Sequence, residues 1–230
     1  GVILTPLLAD SRSNVEIIEY LLDKGVPVVL VGRAVPELSD RVCSVLADNR
    51  SGGREIAEHF AALGHRRVAF LRTLDFAHCS ALRDRHAGFV EGLRACGLAL
   101  DPALSVQSDV GGFPLVLRRW MSMPDPPTAV FADNDITLAR LLEVAIAKGI
   151  DVPRQLSVAG FDDLPTVQTP IPHTSIRVPH YEIGRMAASQ LVDLIRDPYL
   201  PPQQTLAPVS LVIRKSTGIA PRARIVASAG

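Results

Sequence analysis

Three polar residues of the 230-residue sequence, Arg85, Asn134 and Asp162, stand where side chains could hold a small ligand. A guanidinium is a planar fork that suits two adjacent hydroxyls or a carboxylate. Taken singly, the residues also fit a solvated helix-end arginine, a helix N-cap and a turn residue. Each lies beyond a different apolar run, however, and such a set can grip the hydroxyls of a sugar in one cleft.

Motifs for catalysis are missing from the sequence. It contains no nucleotide-binding glycine loop, no serine-hydrolase elbow and no H-E-x-x-H zinc motif. Asp162 and Asp163 are adjacent and should point in different directions, unlike a proton-sharing catalytic dyad. His59 and His65 are expected to be ordinary surface or cap histidines. We therefore expect no catalytic residue, no metal and no cofactor, and a binding protein rather than an enzyme.

Composition narrows the class of partner. Lys plus Arg and Asp plus Glu balance at 24 each, so the formal net charge is zero and this chain is poorly suited to binding the DNA backbone. The cysteines, Cys43, Cys79 and Cys96, are odd in number and irregularly spaced, which suits a reducing cytoplasm. No apolar run reaches the length of a membrane span, and no signal peptide begins at Gly1. We expect a cytoplasmic protein without a membrane partner.

Short apolar runs alternate with helical patterns along the chain. The predicted strands are 2–4, 27–31, 42–47, 68–71, 104–107, 128–132, 156–160, 174–178 and 209–213, and the predicted helices are 15–24, 52–63, 81–96, 113–121, 136–148 and 183–195. This alternation indicates an α/β fold with parallel sheets and helices on both faces. Roughly ten strands favour two sheets, hence two lobes. Ligands bind beyond the carboxyl ends of such strands, where the polar residues stand.

At these residues the chain resembles the LacI family of transcription regulators, within the type I periplasmic-binding-protein superfamily. The resemblance runs from Gly1 to about Thr217 and is specific because many short strings occur in the family's order. They are GVILTP (1–6), PVVLVGR (27–33), ADNRSGG (47–53), LGHRRVAF (63–70), RHAGF (85–89), PTAVFADND (127–135), LSVAGFDD (156–163), PHTSIR (172–177) and VSLVIRKS (209–216).

The resemblance implies two doubly wound parallel-sheet lobes with a ligand cleft between them. The N-terminal lobe would comprise 1–47 plus 176–206, the C-terminal lobe 48–175 plus 207–218, and 219–230 would be a tail. It also implies that the family's helix-turn-helix head, hinge helix and first two strand–helix units precede Gly1, so that the N-terminal lobe is truncated here.

Candidate ligand residues follow from the family's motifs, position by position. They are Thr5, Arg33 (or its neighbour Gly32), Arg85, Asn134, Asp162, Val110 and Val178. The last two depart from the pattern, since the family often has an aromatic residue at the position of Val110 and a polar residue at that of Val178. Phe76, Phe161 or His180 is expected to replace the aromatic platform for a sugar ring.

The implied function is effector sensing by an allosteric regulator. A small sugar-like effector would close the lobes, and closure would alter operator binding by a DNA-binding head outside this chain. A homodimer is implied, with 112–120, 136–146 and 164–172 as candidate interface segments. Two alternatives stay open: a periplasmic sugar-binding protein of a transporter, which a signal peptide upstream would indicate, and an enzyme, which turnover of a sugar would indicate.

Overall fold

The computed structural model describes residues 1–7, 11–73 and 79–221. In this part of the chain the strands are β1 (Val2–Leu4), β2 (Val28–Val31), β3 (Cys43–Ala47), β4 (Val68–Arg72), β5 (Ser105–Gln107), β6 (Ala129–Ala132), β7 (Ser157–Asp162), β8 (Thr174–Arg177), β9 (Gln204–Ala207) and β10 (Ser210–Val212). The α-helices are α1 (Ser11–Asp23), α2 (Asn49–Ala62), α3 (Ser80–Ala95), α4 (Phe113–Met121), α5 (Asp135–Ala147) and α6 (His180–Arg196). None of these helices is long and apolar enough to cross a membrane.

The strands form two sheets. The first has the order β1-β2-β3-β9 and is parallel throughout, and the second has the order β10-β8-β7-β6-β4-β5. Strands β3 and β6 are buried at every position, as expected for strands covered by helices on both faces. The predicted α/β fold with two sheets is therefore confirmed, and the described residues include one antiparallel pair, β10 with β8.

Glycines in the left-handed region end four of the helices. Gly25, Gly64, Gly97 and Gly149 have φ values of 69°, 85°, 71° and 72°, and each follows a helix within two residues of its last turn. Glycine adopts this conformation without the steric cost that a Cβ would bring. The predicted ends of these four helices, at 24, 63, 96 and 148, lie within two residues of those in the structure.

The chain passes between the sheets at three places. One residue separates β3 from α2, two residues (Val178 and Pro179) separate β8 from α6, and two (Pro208 and Val209) separate β9 from β10. Strand β8 pairs with β7 along its whole length, so the second passage follows Arg177, whereas 176 was expected to begin the return to the N-terminal lobe.

Two sequence expectations need correction. Strand β9 was not predicted, because QTLA is a short string with only two apolar residues, shortly after two prolines. Residues 219–221 do not begin a free tail, since the Ala220 amide donates a hydrogen bond to Leu63 O at 2.9 Å. Residues 222–230 lie outside the described part of the chain.

Candidate ligand-binding site

The space between the two sheets holds two adjoining cavities of about 250 and 240 Å³. Thr5, Gly32, Arg85, Asp162 and His180 line both cavities, which therefore form one cleft. Thr5 and Gly32 follow strands of the first sheet, while Asp162 ends β7 of the second. Ligand pockets usually measure roughly 300–1,000 Å³, a range that the two cavities reach together.

Arg85 is the most connected side chain of the cleft. Its Nε donates to Asn49 Oδ1 at 2.9 Å, its Nη1 to Asp133 O at 2.7 Å and its Nη2 to Asp162 Oδ1 at 2.8 Å. Its guanidinium carbon also lies 3.8 Å from the centroid of the buried Phe161 ring. These four contacts hold the guanidinium plane in one orientation, which favours a preorganised binding group.

Glycines at the contact between α2 and α3 bring Arg85 to this position. A Cβ on Gly53 would collide with the Arg85 carbonyl, and one on Gly88 would collide with the Arg50 carbonyl. Because neither glycine has a side chain, the two helix backbones approach closely enough for Asn49, at the start of α2, to reach Arg85. The helix contact thus sets the geometry of the site.

The turn after β7 separates its two carboxylates. Asp162 has φ = 109° and Asp163 has φ = 52°, a region that non-glycine residues rarely occupy. Asp162 faces Arg85, whereas the Asp163 carboxylate accepts hydrogen bonds from Arg177 Nε at 2.7 Å and Arg214 Nη2 at 2.6 Å, which hold its pKa below the ordinary value. The expectation that the two carboxylates point in different directions is confirmed.

Buried Asp135 anchors the same turn from behind. Its Oδ2 accepts a hydrogen bond from the Leu164 amide at 2.8 Å, and its Oδ1 accepts one from Ser175 Oγ at 2.6 Å. Gly160 leaves room for this carboxylate, because a Cβ there would lie 2.6 Å from Asp135 Oδ1. Such fixed partners can maintain a strained backbone at a binding site.

Asp133 and Asn134 connect β6 to α5 and line one of the two cavities. Asn134 Oδ1 caps the helix by accepting from the Thr137 amide at 2.8 Å, and its Nδ2 has no partner within the described residues. Asp133 Oδ2 accepts from the Thr73 amide at 3.2 Å, while its buried Oδ1 has no partner there. Burial raises the pKa of Asp133, and it also raises that of Asp162, against the opposing charge of Arg85.

The structure brings most of the predicted ligand residues to this cleft. Thr5, Arg33, Arg85, Asn134, Asp162 and Val178 line one or both cavities, as do Gly32 and His180. Arg33 donates from Nη1 to Pro6 O at 2.6 Å. The ligand roles of these residues stay predictions.

Of the positions proposed for the aromatic platform, His180 lines both cavities, whereas Val110 and Phe161 line neither. Val110 is 43% exposed on a short 3₁₀ helix, Val110–Gly112, and does not line either cavity. The Phe161 ring is fully buried beneath Arg85. Phe76 lies outside the described residues.

Two cleft residues, Asn49 and Asp133, were missed by the sequence reasoning. Asn49 lies two residues after β3 and Asp133 lies one residue after β6, so both follow a buried strand. Asn49 lies in the string ADNRSGG next to an aspartate that caps α2, and Asp133 lies beside Asn134. The position of each at a strand end was the signal that could have found them.

His59 and His65 were expected to be surface or cap histidines, but His65 lies in the core. His65 is fully buried, with Nδ1 2.9 Å from Thr128 Oγ1 and Nε2 3.0 Å from Ser157 Oγ, so the surface prediction for it is wrong. His59 Nε2 lies 2.9 Å from Thr217 Oγ1. Within residues 1–7, 11–73 and 79–221, no group of three or more His, Cys, Asp or Glu side chains could hold a metal ion.

Comparison with known proteins identifies the family. Residues 57–217 match the model of the periplasmic binding protein-like domain. The chain is 30% identical over 201 residues to the HTH-type transcriptional repressor CytR of Escherichia coli K12, covering 85% of this chain and 57% of CytR.

Solved structures of transcriptional regulators have the same fold as this chain. A transcriptional regulator CelR–cellobiose complex superimposes with a TM-score of 0.81 at 31% identity, covering 94% of this chain and 65% of that chain. A LacI family transcriptional regulator from Mycobacterium smegmatis gives a TM-score of 0.78 at 26% identity, covering 95% and 79%.

The chain belongs to the periplasmic binding protein-like domain family. Within that family it corresponds to the effector-binding region of LacI-type regulators, and its relatives are named as transcriptional regulators and not as enzymes. It spans only 57% of CytR and 65% of the CelR chain, and so corresponds to a part of those proteins.

Proposed function

We propose that this chain is the ligand-sensing domain of a LacI-type transcriptional regulator and binds a small sugar-like effector between its two sheets. The effector contacts Arg85, Asn134 and Asp162 from the second sheet and Thr5 from the first. Binding closes the cleft, and closure changes operator binding by a DNA-binding head outside residues 1–230. A coupling free energy of about 1–3 kcal/mol between the sites would change operator affinity several-fold to a hundredfold.

The observation that carries the proposal is the fixed polar cluster between the sheets. Arg85 is held by Asn49, Asp133 and Asp162, all from strand ends or helix starts that face the cavity. Preorganised polar groups in a concave site are typical of small-ligand binding. The CelR structure, which contains cellobiose, supports a sugar as the ligand class for this fold.

A thermal-shift screen tests the proposal, because a ligand that binds only the folded state raises the melting temperature. The panel contains cellobiose, common monosaccharides, sugar phosphates and purines. We expect at least one sugar to raise the melting temperature, and we expect Arg85→Ala or Asp162→Ala to weaken its binding about ten- to hundredfold, through the loss of a charge-assisted hydrogen bond.

Arg94→Ala is the matched control for Arg85→Ala, because Arg94 is an exposed arginine in the last turn of the same helix, α3. It should leave ligand affinity unchanged. A ligand whose binding survives both Arg85→Ala and Asp162→Ala would place the site elsewhere. Turnover of a sugar by the purified protein would instead favour an enzyme.

Three further features belong to the same proposal. The regulator acts in the cytoplasm, as the names of its relatives suggest. Its lobes are 1–47 plus 176–206 and 48–175 plus 207–218, subject to the later passage after Arg177. It works as a homodimer, since two-fold symmetric half-sites are typical of helix-turn-helix proteins.

A further inference from the structure

Arg85 and Asp162 form an ion pair within the cleft, with Arg85 Nη2 2.8 Å from Asp162 Oδ1. We infer that the effector is an uncharged polyol, and that the cleft rejects the matching sugar acid or sugar phosphate. This inference rests on the proposed function and narrows its ligand class. Its basis is the pairing of Arg85, the unpartnered acceptor atoms and the balance of charges around the cavity.

An anionic ligand would need free N–H groups on Arg85, but all three guanidinium nitrogens already donate hydrogen bonds within the protein. Its Nη2 donates to Asp162 Oδ1 at 2.8 Å, and its other two bonded nitrogens hold Asn49 and a backbone carbonyl. The Arg85 and Asp162 side chains are only 14% and 18% exposed, so the ion pair is little screened by water. A ligand carboxylate could reach the guanidinium in bidentate fashion only by displacing Asp162, which would leave that carboxylate buried without its partner.

The unpartnered atoms of the cleft include two carboxylate oxygens, which are acceptors, and the Asn134 Nδ2 donor. Asp133 is 2% exposed and lines the cavity, and its Oδ1 has no hydrogen-bond partner among the described residues. Asp162 Oδ2 likewise has none there. A buried acceptor without a donor costs free energy that a ligand hydroxyl can recover, whereas a carboxylate or phosphate oxygen brings no proton to donate.

Charges around the cleft do not favour an anion. The lining residues include two arginines, Arg33 and Arg85, and two aspartates, Asp133 and Asp162, while His180 is the remaining titratable group apart from Cys79. Asp135 lies fully buried behind the turn, and His173 Nε2 lies 3.5 Å from its Oδ2. Arg33 donates to Pro6 O, whereas Arg85 donates to Asp133 O and Asp162 Oδ1, on the two residues that carry the unpartnered acceptors.

Isothermal titration with pairs of sugars that differ only in charge tests the inference. The probes are glucose with glucuronate and glucose 6-phosphate, galactose with galacturonate, and cellobiose with cellobionate. We expect the neutral member of at least one pair to bind and its anionic partners to bind at least about tenfold more weakly, the equivalent of one lost hydrogen bond.

Asp162→Asn provides a change of selectivity that a purely structural role would not produce. Asn tolerates positive φ, so the turn should keep its shape. The substitution removes the carboxylate from Arg85, and we expect the ratio of neutral to anionic affinity to fall by about tenfold or more. Adding Arg85→Gln should abolish any gain in anion binding. Asp125→Asn is the matched control, since this exposed aspartate lies before β6, at the end of that strand away from the cleft.

Each outcome decides a different point. An anionic sugar that binds wild-type protein as tightly as its neutral partner, or more tightly, overturns the inference and leaves the proposed function standing. An unchanged selectivity in Asp162→Asn, with wild-type folding by circular dichroism, also overturns it. Absence of binding by every probe at millimolar concentration overturns the proposed function, and the inference with it.

Discussion

Gly53 on α2 and Gly88 on α3 allow the two helix backbones to approach closely. The backbone carbonyls of Arg50 and Arg85 occupy the space that a Cβ on Gly88 or Gly53 would need. Any side chain at these positions must push the helices apart, and α3 carries Arg85. Residues without a functional group are therefore part of the binding geometry.

This geometry predicts opposite effects for two glycine-to-alanine substitutions. Gly88→Ala should destabilise the protein by about 1–3 kcal/mol, because overpacking against backbone cannot be relieved by a rotamer change. Gly184→Ala should stabilise it by roughly 0.5–1 kcal/mol, because Gly184 lies within α6 with nothing within 4 Å of a Cβ and alanine is the better helix former. Urea unfolding measures both. Equal effects of the two substitutions would mean that the close helix contact is not rigid.

Individual site residues were predictable only in part. Arg85, Asn134 and Asp162 could be predicted because strand ends meet in one cleft. Asn49 also follows a strand end, but its contact with Arg85 depends on the close approach of α2 and α3, which involves residues far apart in the sequence. Val110 was carried over from a family position, and here the chain places it on a 3₁₀ helix away from the cavity.

A polar segment near the C-terminus ties α2 to the second sheet. Ser216 Oγ donates to Val158 O at 2.6 Å, the Gly218 amide donates to Ser157 Oγ at 3.0 Å, and His59 and His65 bond to Thr217 and Ser157. Burial lowers the pKa of both histidines. The segment behaves as an additional, irregular partner of β7.

These histidines predict a loss of stability in mild acid. Their unfolded pKa is about 6.5 and their folded pKa is lower, so the unfolded chain binds more protons between the two values. The stabilising effect of the neutral rings is complete above about pH 6.5 and is lost as the pH falls towards the folded pKa values. Urea unfolding between pH 7.5 and pH 5 should therefore give a falling free energy of unfolding.

The variant His59→Gln/His65→Gln separates this effect from that of the carboxylates. It should be less stable than wild type at pH 7.5, since the ring hydrogen bonds are altered, but should lose less stability on acidification. A variant and a wild type with parallel pH profiles would show that other groups carry the dependence.

Elements with strong apolar patterns could be predicted, and those without could not. Helix α4 (Phe113–Met121) has the predicted bounds because its apolar positions recur at helical spacing. Strand β9 is formed by tertiary pairing with β3, since its own string has little strand character. The antiparallel direction of β10 likewise depends on the passage at Pro208 and Val209, which sequence periodicity does not encode.

At the scale of the molecule, apolar side chains on α4 and α5 support the proposed homodimer. Leu115 is 59% exposed and Ile136 is 60% exposed, and their helices contact each other. Large exposed apolar surfaces are typical of interaction sites, and these two exposed side chains stand on neighbouring helices. Both residues lie within the segments predicted to form the interface.

Light scattering after size exclusion tests this surface. We expect a dimer at micromolar concentration and a shift to monomer in Leu115→Glu/Ile136→Glu, because a buried unpaired carboxylate disfavours association. Ile195→Glu is the control, since Ile195 is 54% exposed on α6, which packs on the first sheet. A monomeric wild type, or equal dissociation by the control, would contradict the proposed interface.

The short connections between the sheets limit how the protein can change shape. Two residues span at most about 7 Å when fully extended, and a single residue half of that. Pro179 and Pro208 stand in two of the three connections and have one backbone torsion fixed. The sheets consequently share a stiff pivot: one can tilt against the other, but neither can slide away, and few torsion angles are available to absorb the movement.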